Sequence, residues 1–327
     1  MRVGRILEDL DALAGNVATL HCSGISVDGL PVLLATVTVD KITMSRPGDL
    51  TKDMKISGQV IWVGKSSMDI LISVFSLDAQ GAPVGGAWLV STFTFVARNP
   101  RTEGAIGVPG LILETEEEKA LFNERQKNYE TTNQRRKKTL ANVGYDWPDE
   151  RSLAIGNQLL QEARPLIDMP ALANGESILV SSTKLSNAFI CHRQQRNIYG
   201  RIFGGFLMRK AFELASATAY LFCGVNPRFR EIDHVVFRKP VNVGDLIKLE
   251  SRVLYTCQSL RTLKPLMHVE VVVEVAKPEE RSSFVSNTFQ FTFEKPDGGT
   301  VKRVLPATLE EARTVVKRME ENRVDDL

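Results

Sequence analysis

The stretch RNIYGRIFGGFLMRKAFELASATAYLFCG, residues 196–224, holds the residue types best suited to chemistry. Gly204 and Gly205 stand side by side at the start of a long apolar run. From Phe206 to Phe222 the run is apolar almost all round, which predicts a buried helix rather than a surface one. Glycines at a helix start let another group approach the backbone closely. The N–H groups there, at the positive end of the helix dipole, would receive a developing oxyanion. Glu213 is the single acid inside this helix, and a buried carboxylate is costly unless it is partnered or used. It lies eight residues past Gly205, roughly 12 Å along the axis, out of reach of its own helix start. It could act at the start of a second such helix lying antiparallel. An active site is therefore expected across two helices.

A second helix of this kind follows from an internal repeat. Asp40 and Asp233 are 193 residues apart, and the same offset pairs Pro47 with Pro240, Ile56 with Leu249, Val60 with Val253, Trp62 with Tyr255 and Ser66 with Ser259. STFTF, from Ser91 to Phe95, matches NTFQF, from Asn287 to Phe291, at an offset of 196. Each half begins with a helical stretch, roughly Arg5 to Leu20 and Gly205 to Cys223. Strand-like segments follow. Met68, Ile70, Ile72 and Val74 alternate with neighbours of the other face, as do Val269, Val271, Val273 and Val275. Period two with β-branched residues predicts half-buried strands. RPGD and KPVNVGD punctuate them as turns. One helix followed by a run of mostly antiparallel strands is an α+β layout. Asp40 and Asp233 are read as strand-end contacts.

The rest of the sequence bounds the answer. The 327 residues suggest two ordinary domains. A composition 43% hydrophobic and 24% charged excludes disorder over most of the length. The formal net charge of +2 asks for neither nucleic acid nor an anionic membrane. Cys22, Cys191, Cys223 and Cys257 have no metal or redox spacing, which points to a reduced compartment. His21, His192, His234 and His268 do not cluster, so no metal site is expected. No apolar stretch of about 20 residues predicts a membrane span. Between the halves, ETEEEKALFNERQKNYETTNQRRKKTL reads as a solvated helix from about Glu114 to Lys138, ending in the basic run Arg135 to Lys138. RSLAIGNQLLQEA reads as a short helix, and TLEEARTVVKRMEENR as an amphipathic helix capped by Thr308.

Taken together, GRILEDLDALAG, SGQVIWVGKSSM, NIYGRIFGGFLMRKAFELA and FRKPVNVGDL resemble the acyl-CoA thioesterases of the double hot-dog type, mitochondrial members in particular. The resemblance runs from Arg2 to about Glu294. It implies a tandem hot-dog fold, each half a long buried helix wrapped by a curved antiparallel sheet. It places a first domain at residues 1–100, a charged helical linker at 101–175, a second domain at 176–297 and a helical tail at 298–327. It implies hydrolysis of acyl-CoA to fatty acid and CoA, with no cofactor, since CoA is part of the substrate. Two alternatives use the same fold: a non-catalytic acyl-CoA sensor, and a hydratase or dehydratase.

Carried over residue by residue, the resemblance makes Asn197 the positioning amide and Gly205, with Gly204, the oxyanion donor. The acid facing them comes from the first half, which has Glu8 and Asp9 where the second has Gly204 and Gly205, and which lacks the Asn. Asp11 is the first choice and Glu8 the second, with Glu213 facing the degenerate half. One working site and one decayed site are expected. Arg193, Arg196, Arg201, Arg209 and Lys210 are candidates for the CoA phosphates, as bidentate guanidinium contacts suit phosphate. The resemblance further implies a trimer of double-domain chains and a place in the mitochondrial matrix. No leader is read in the sequence, which is expected to open inside the first domain, and this leaves a cytoplasmic form as the alternative.

Overall fold

A computed structural model of the chain describes residues 3–44, 52–141, 147, 149–197 and 200–325. The opening helix α1 spans Val3–His21. Its buried residues Val3, Ile6, Leu7, Leu10, Asp11, Ala14 and Ala18 recur at three- and four-residue steps, so one face is committed to the core. Strands β1 (Leu33–Val39), β2 (Ile42–Met44), β3 (Met54–Val63), β4 (Ser67–Ser76) and β5 (Leu89–Arg98) follow. The turn RPGD and Pro47 lie outside the described residues. Helices α2 (Glu116–Ala141) and α3 (Glu150–Asp168) come next. The second half begins with β6 (Leu185–Ile190) and helix α4 (Gly204–Cys223), which ends on Gly224 at φ 75 with its N–H donated to the Tyr220 carbonyl. Strands β7 (Arg228–Ile232), β8 (Val235–Val236), β9 (Leu246–Gln258), β10 (Pro265–Lys277) and β11 (Ser282–Glu294) lead to the last helix, α5 (Leu309–Asp325).

These strands form one antiparallel sheet of 11 strands, so the architecture is α+β. The halves join through two reciprocal pairings. β1 pairs with β5 of its own half and with β8 of the other, while β7 pairs with β11 and with β2. α1 rests on β1, β3, β4 and β5, and α4 on β6, β9, β10 and β11. The two helices also pack on each other. α4 is not buried all round as expected, because Tyr220 and Leu221 near its end are 53% and 74% exposed.

The sheet corrects one offset of the repeat. Val39 pairs with Phe93, and Ile232, 193 residues further on, pairs with Phe291. The Asp40 N–H donates to the Thr92 carbonyl and the Asp233 N–H to that of Gln290. The last strands therefore correspond at 198, not 196. A slip of two keeps every side chain on its face, so the alternating pattern fits both registers.

The helix expected to be solvated has a sheltered face. Arg125 on α2 donates from Nε to Asp69 at 2.8 Å and from Nη1 to Asp40 at 2.6 Å. The Trp62 indole N–H donates to Gln126 at 2.8 Å. Arg318 on α5, 193 residues after Arg125, pairs with Asp233. Asn322 reaches the Tyr255 hydroxyl and the His268 ring. The recurring aspartates thus anchor an outer helix behind each half. The side chains of the basic run at 135–138 lie outside the described residues. α3 packs against α5, with Asp149 capping its start through the Ser152 N–H at 2.7 Å.

Candidate active site

The crossing of α1 and α4 brings the sequence-predicted residues together. Gly4 faces Arg209 and Phe212, while Gly205 faces Glu8 and Asp11, so the helices run antiparallel. A Cβ on Gly205 would stand 2.9 Å from Phe203 and 3.0 Å from both the Asp11 Cβ and the Glu8 Cα. One on Gly204 would stand 3.1 Å from the Asp11 carboxylate and from the Phe237 ring. A larger residue at either position would make its neighbours give way, at Gly205 against the Glu8 backbone.

Asp11 is wholly buried. The Gly205 N–H donates to its Oδ2 at 2.6 Å, and the Thr36 hydroxyl to its Oδ1 at 3.1 Å. Burial pushes the carboxyl up, and these two bonds pull it back down, leaving it at about 6. A carboxylate at the start of α4 also sits at the favourable end of that helix's dipole.

A cavity of about 560 Å³ opens beside this contact. Glu8, Ala12, Thr36 and Gly204, all neighbours of Asp11 in the chain or in space, form part of its wall, as do Asn197 and Phe95, while Asp11 and Gly205 lie behind that wall. The Asn197 carboxamide oxygen accepts the Arg201 N–H at 3.1 Å, and Gly200 takes φ 82. Among the expected cations, Arg196 and Arg201 line the cavity, joined by Arg98, Arg238 and Lys239. Arg201 pairs with Glu103, linking a loop of each half.

The other candidates are placed differently. Glu213 is not buried: its side chain is 45% exposed and is bound by Arg209 at 2.8 Å and Lys210 at 3.0 Å, which hold its carboxyl below the usual range despite some burial. Arg209 also reaches Glu8 at 3.0 Å. Arg209 and Lys210 are thus engaged by acids of α1 and α4 and do not line the cavity. Arg193 is exposed in a short turn and does not line it either. The Gly205 N–H, expected to meet an oxyanion, instead holds the acid.

The reverse side of the helix crossing carries no such group. With α1 and α4 superposed at an offset of 201, Gly4, and not the expected Glu8 and Asp9, stands where the second half has its paired glycines, and Asp11 matches Phe212. At the strand offset of 193, Thr36 matches Phe229. The carboxylate and hydroxyl are thus replaced by two rings, 5.3 Å apart and edge to face. Phe291 and Phe293 lie within 6.0 Å of Phe212.

Thr36, Arg98, Arg238 and Lys239 are not singled out by the sequence reading. The last two lie within FRKPVNVGDL, and the basic pair there was a usable signal. Thr36 is one of two threonines in β1, and only the helix above it gives it a role.

A buried acid of one half seated on the helix start of the other, beside a cavity with basic walls, defines a site shared by the two halves of the chain. No family model matches the chain. It is 46% identical over 98% of its length to acyl-coenzyme A thioesterase 4, mitochondrial, of Humulus lupulus, and spans 61% of that protein. Against acyl-coenzyme A thioesterase 2, chloroplastic, of the same plant the figures are 45%, 98% and 74%. Against acyl-coenzyme A thioesterase 9, mitochondrial, of Mus musculus they are 36%, 90% and 65%. Of solved structures, an acyl-CoA hydrolase from Bacillus cereus aligns at 22% identity and TM-score 0.41 over 46% of this chain and 92% of that one, too remote to carry an argument. The chain belongs to the acyl-coenzyme A thioesterase family.

Proposed function

We propose that the chain hydrolyses acyl-CoA thioesters to a carboxylic acid and CoA, at one site built from both halves. The observation that carries this reading is the Asp11 carboxylate on the Gly205 N–H, two residues 194 positions apart in sequence. Ionised Asp11 takes a proton from a water that attacks the thioester carbonyl, and the leaving thiolate then accepts that proton. The Gly205 and Thr36 donors hold the carboxylate. Gly204, next to it on the cavity wall, offers its N–H to the carbonyl oxygen. Asn197 positions the substrate from the same wall. Arg196, Arg201, Arg98, Arg238 and Lys239 receive the CoA phosphates. The crossing at Gly4, filled by Phe212 and Phe229, is the decayed counterpart.

Each half then corresponds to one hot-dog unit, and three such chains form the expected assembly. Relatives named for mitochondria and for chloroplasts favour an organelle, with the mitochondrion as our reading. No cofactor enters the reaction as written. The test is thiol release from a series of acyl-CoAs, followed with a thiol reagent. Release by the wild-type chain and its loss in Asp11→Ala support the proposal. Binding without turnover points to a sensor, and an intact thioester with altered absorbance points to a hydratase.

A further inference from the structure

The antiparallel crossing of α1 and α4 has a pseudo-twofold axis, and one pair of equivalent residues meets on it. At the offset of 201 that matches Gly4 with Gly205, Glu8 matches Arg209. Their side chains touch each other, Glu8 Oε2 lying 3.0 Å from Arg209 Nη1. In a pair of identical helices this axis would bring like residues face to face, two carboxylates or two guanidiniums. Here the charges are opposite. The side chains are only 20% and 28% exposed, so solvent screens them less than it screens a surface pair. The position is also strategic. Glu8 lies one turn before Asp11 on α1, and Arg209 one turn after Gly205 on α4.

We propose that Glu8 and Arg209 are positioning residues that admit a first-half helix only against a second-half helix, and so hold Asp11 on the Gly205 N–H. A first-half helix against its own copy would press Glu8 on Glu8. A second-half helix against its own copy would press Arg209 on Arg209 and supply no acid, since Phe212 stands at that position. The charge pair therefore selects the one combination that joins an acid to a paired-glycine helix start. This rests on the thioesterase reading for its activity readout, but its thermal readout does not.

The test is a charge-swap cycle in the full chain: Glu8→Arg, Arg209→Glu and both together. Each single change puts like charges on the axis. It should lower kcat/KM about tenfold or more and reduce Tm by several degrees. The double swap restores opposite charges and should recover most of both losses. Glu8 also binds Arg5 at 2.9 Å and Arg209 binds Glu213 at 2.8 Å, and the cycle cancels what each side chain does on its own helix. If the reversals do not fold, Glu8→Gln, Arg209→Gln and their combination enter the same cycle. A double swap no better than the worse single variant, or additive effects in both readouts, would overturn the proposal. A wild-type chain without thioesterase activity would sink the functional reading and leave the coupling in Tm to decide this one.

Discussion

The crossing around Asp11 and the crossing around Phe212 share a helix pair, a glycine at each contact and the same strand position beneath. They differ in two side chains each. Asp11 with Thr36 makes a polar contact that is costly to bury. Phe212 with Phe229 makes an aromatic contact that stabilises the fold by burial and by edge-to-face geometry. The backbone needed for close approach has been kept on both sides. Whether it serves chemistry or cohesion is decided by what stands opposite the glycine.

Removing the acid should have the largest effect on this comparison. Asp11→Ala is expected to lower kcat/KM about a thousandfold, measured by thiol release. Asp11→Asn should be equally inactive yet more stable. The carboxyl is raised from 3.8 to about 6, so between these values the folded chain holds a proton that the unfolded chain has released. Stability from this group therefore falls as pH rises through that window, and the ionised acid is a cost at pH 7. The Tm gain of Asp11→Asn over wild type should be clear at pH 7 and vanish near pH 4. A gain of equal size at both pH values would refute the buried ionisation.

Closing the approach is the next test. Gly205→Ala places a methyl about 3 Å from the backbone of Glu8 and the side chain of Asp11. The helices must part, and kcat/KM should drop about a hundredfold. On the filled side, Phe212→Ala should cost about 3–5 kcal/mol in chemical denaturation and leave kcat/KM unchanged where the variant is folded. The mildest change is Thr36→Val. It removes a bond to the ionised carboxyl, so the acid limb of kcat/KM, centred near pH 6 in wild type, should move upward by roughly one pH unit.

Much of this layout can be read from the residues. α4 and α1 follow from their apolar spacing, and β4 and β10 from strict alternation. The meeting of Asp11 with Gly205 matches what the resemblance implied, with Asp11 taken as the first-half carboxylate nearest the required place. Other features are less accessible. Glu213 looked buried because its neighbours in sequence are apolar, yet it lies on the one helix face that Arg209 and Lys210 turn to solvent. The correspondence of β5 with β11 in the repeat was ambiguous because aromatic residues alternate in both strands. Arg125 and Arg318 could have been found by carrying the offset of 193 past the strands. Thr36 could not, since its partner lies 25 residues away and meets it only through packing.

The ladder that passes from β5 through β2 to β7, and from β1 to β8, leaves no break between the halves. Pulling them apart would strip hydrogen bonds from strands on both sides of the seam. The chain should therefore melt as one cooperative unit, giving a single calorimetric endotherm whose van't Hoff and calorimetric enthalpies agree. Damage to the core of either half would then lower the melting of both.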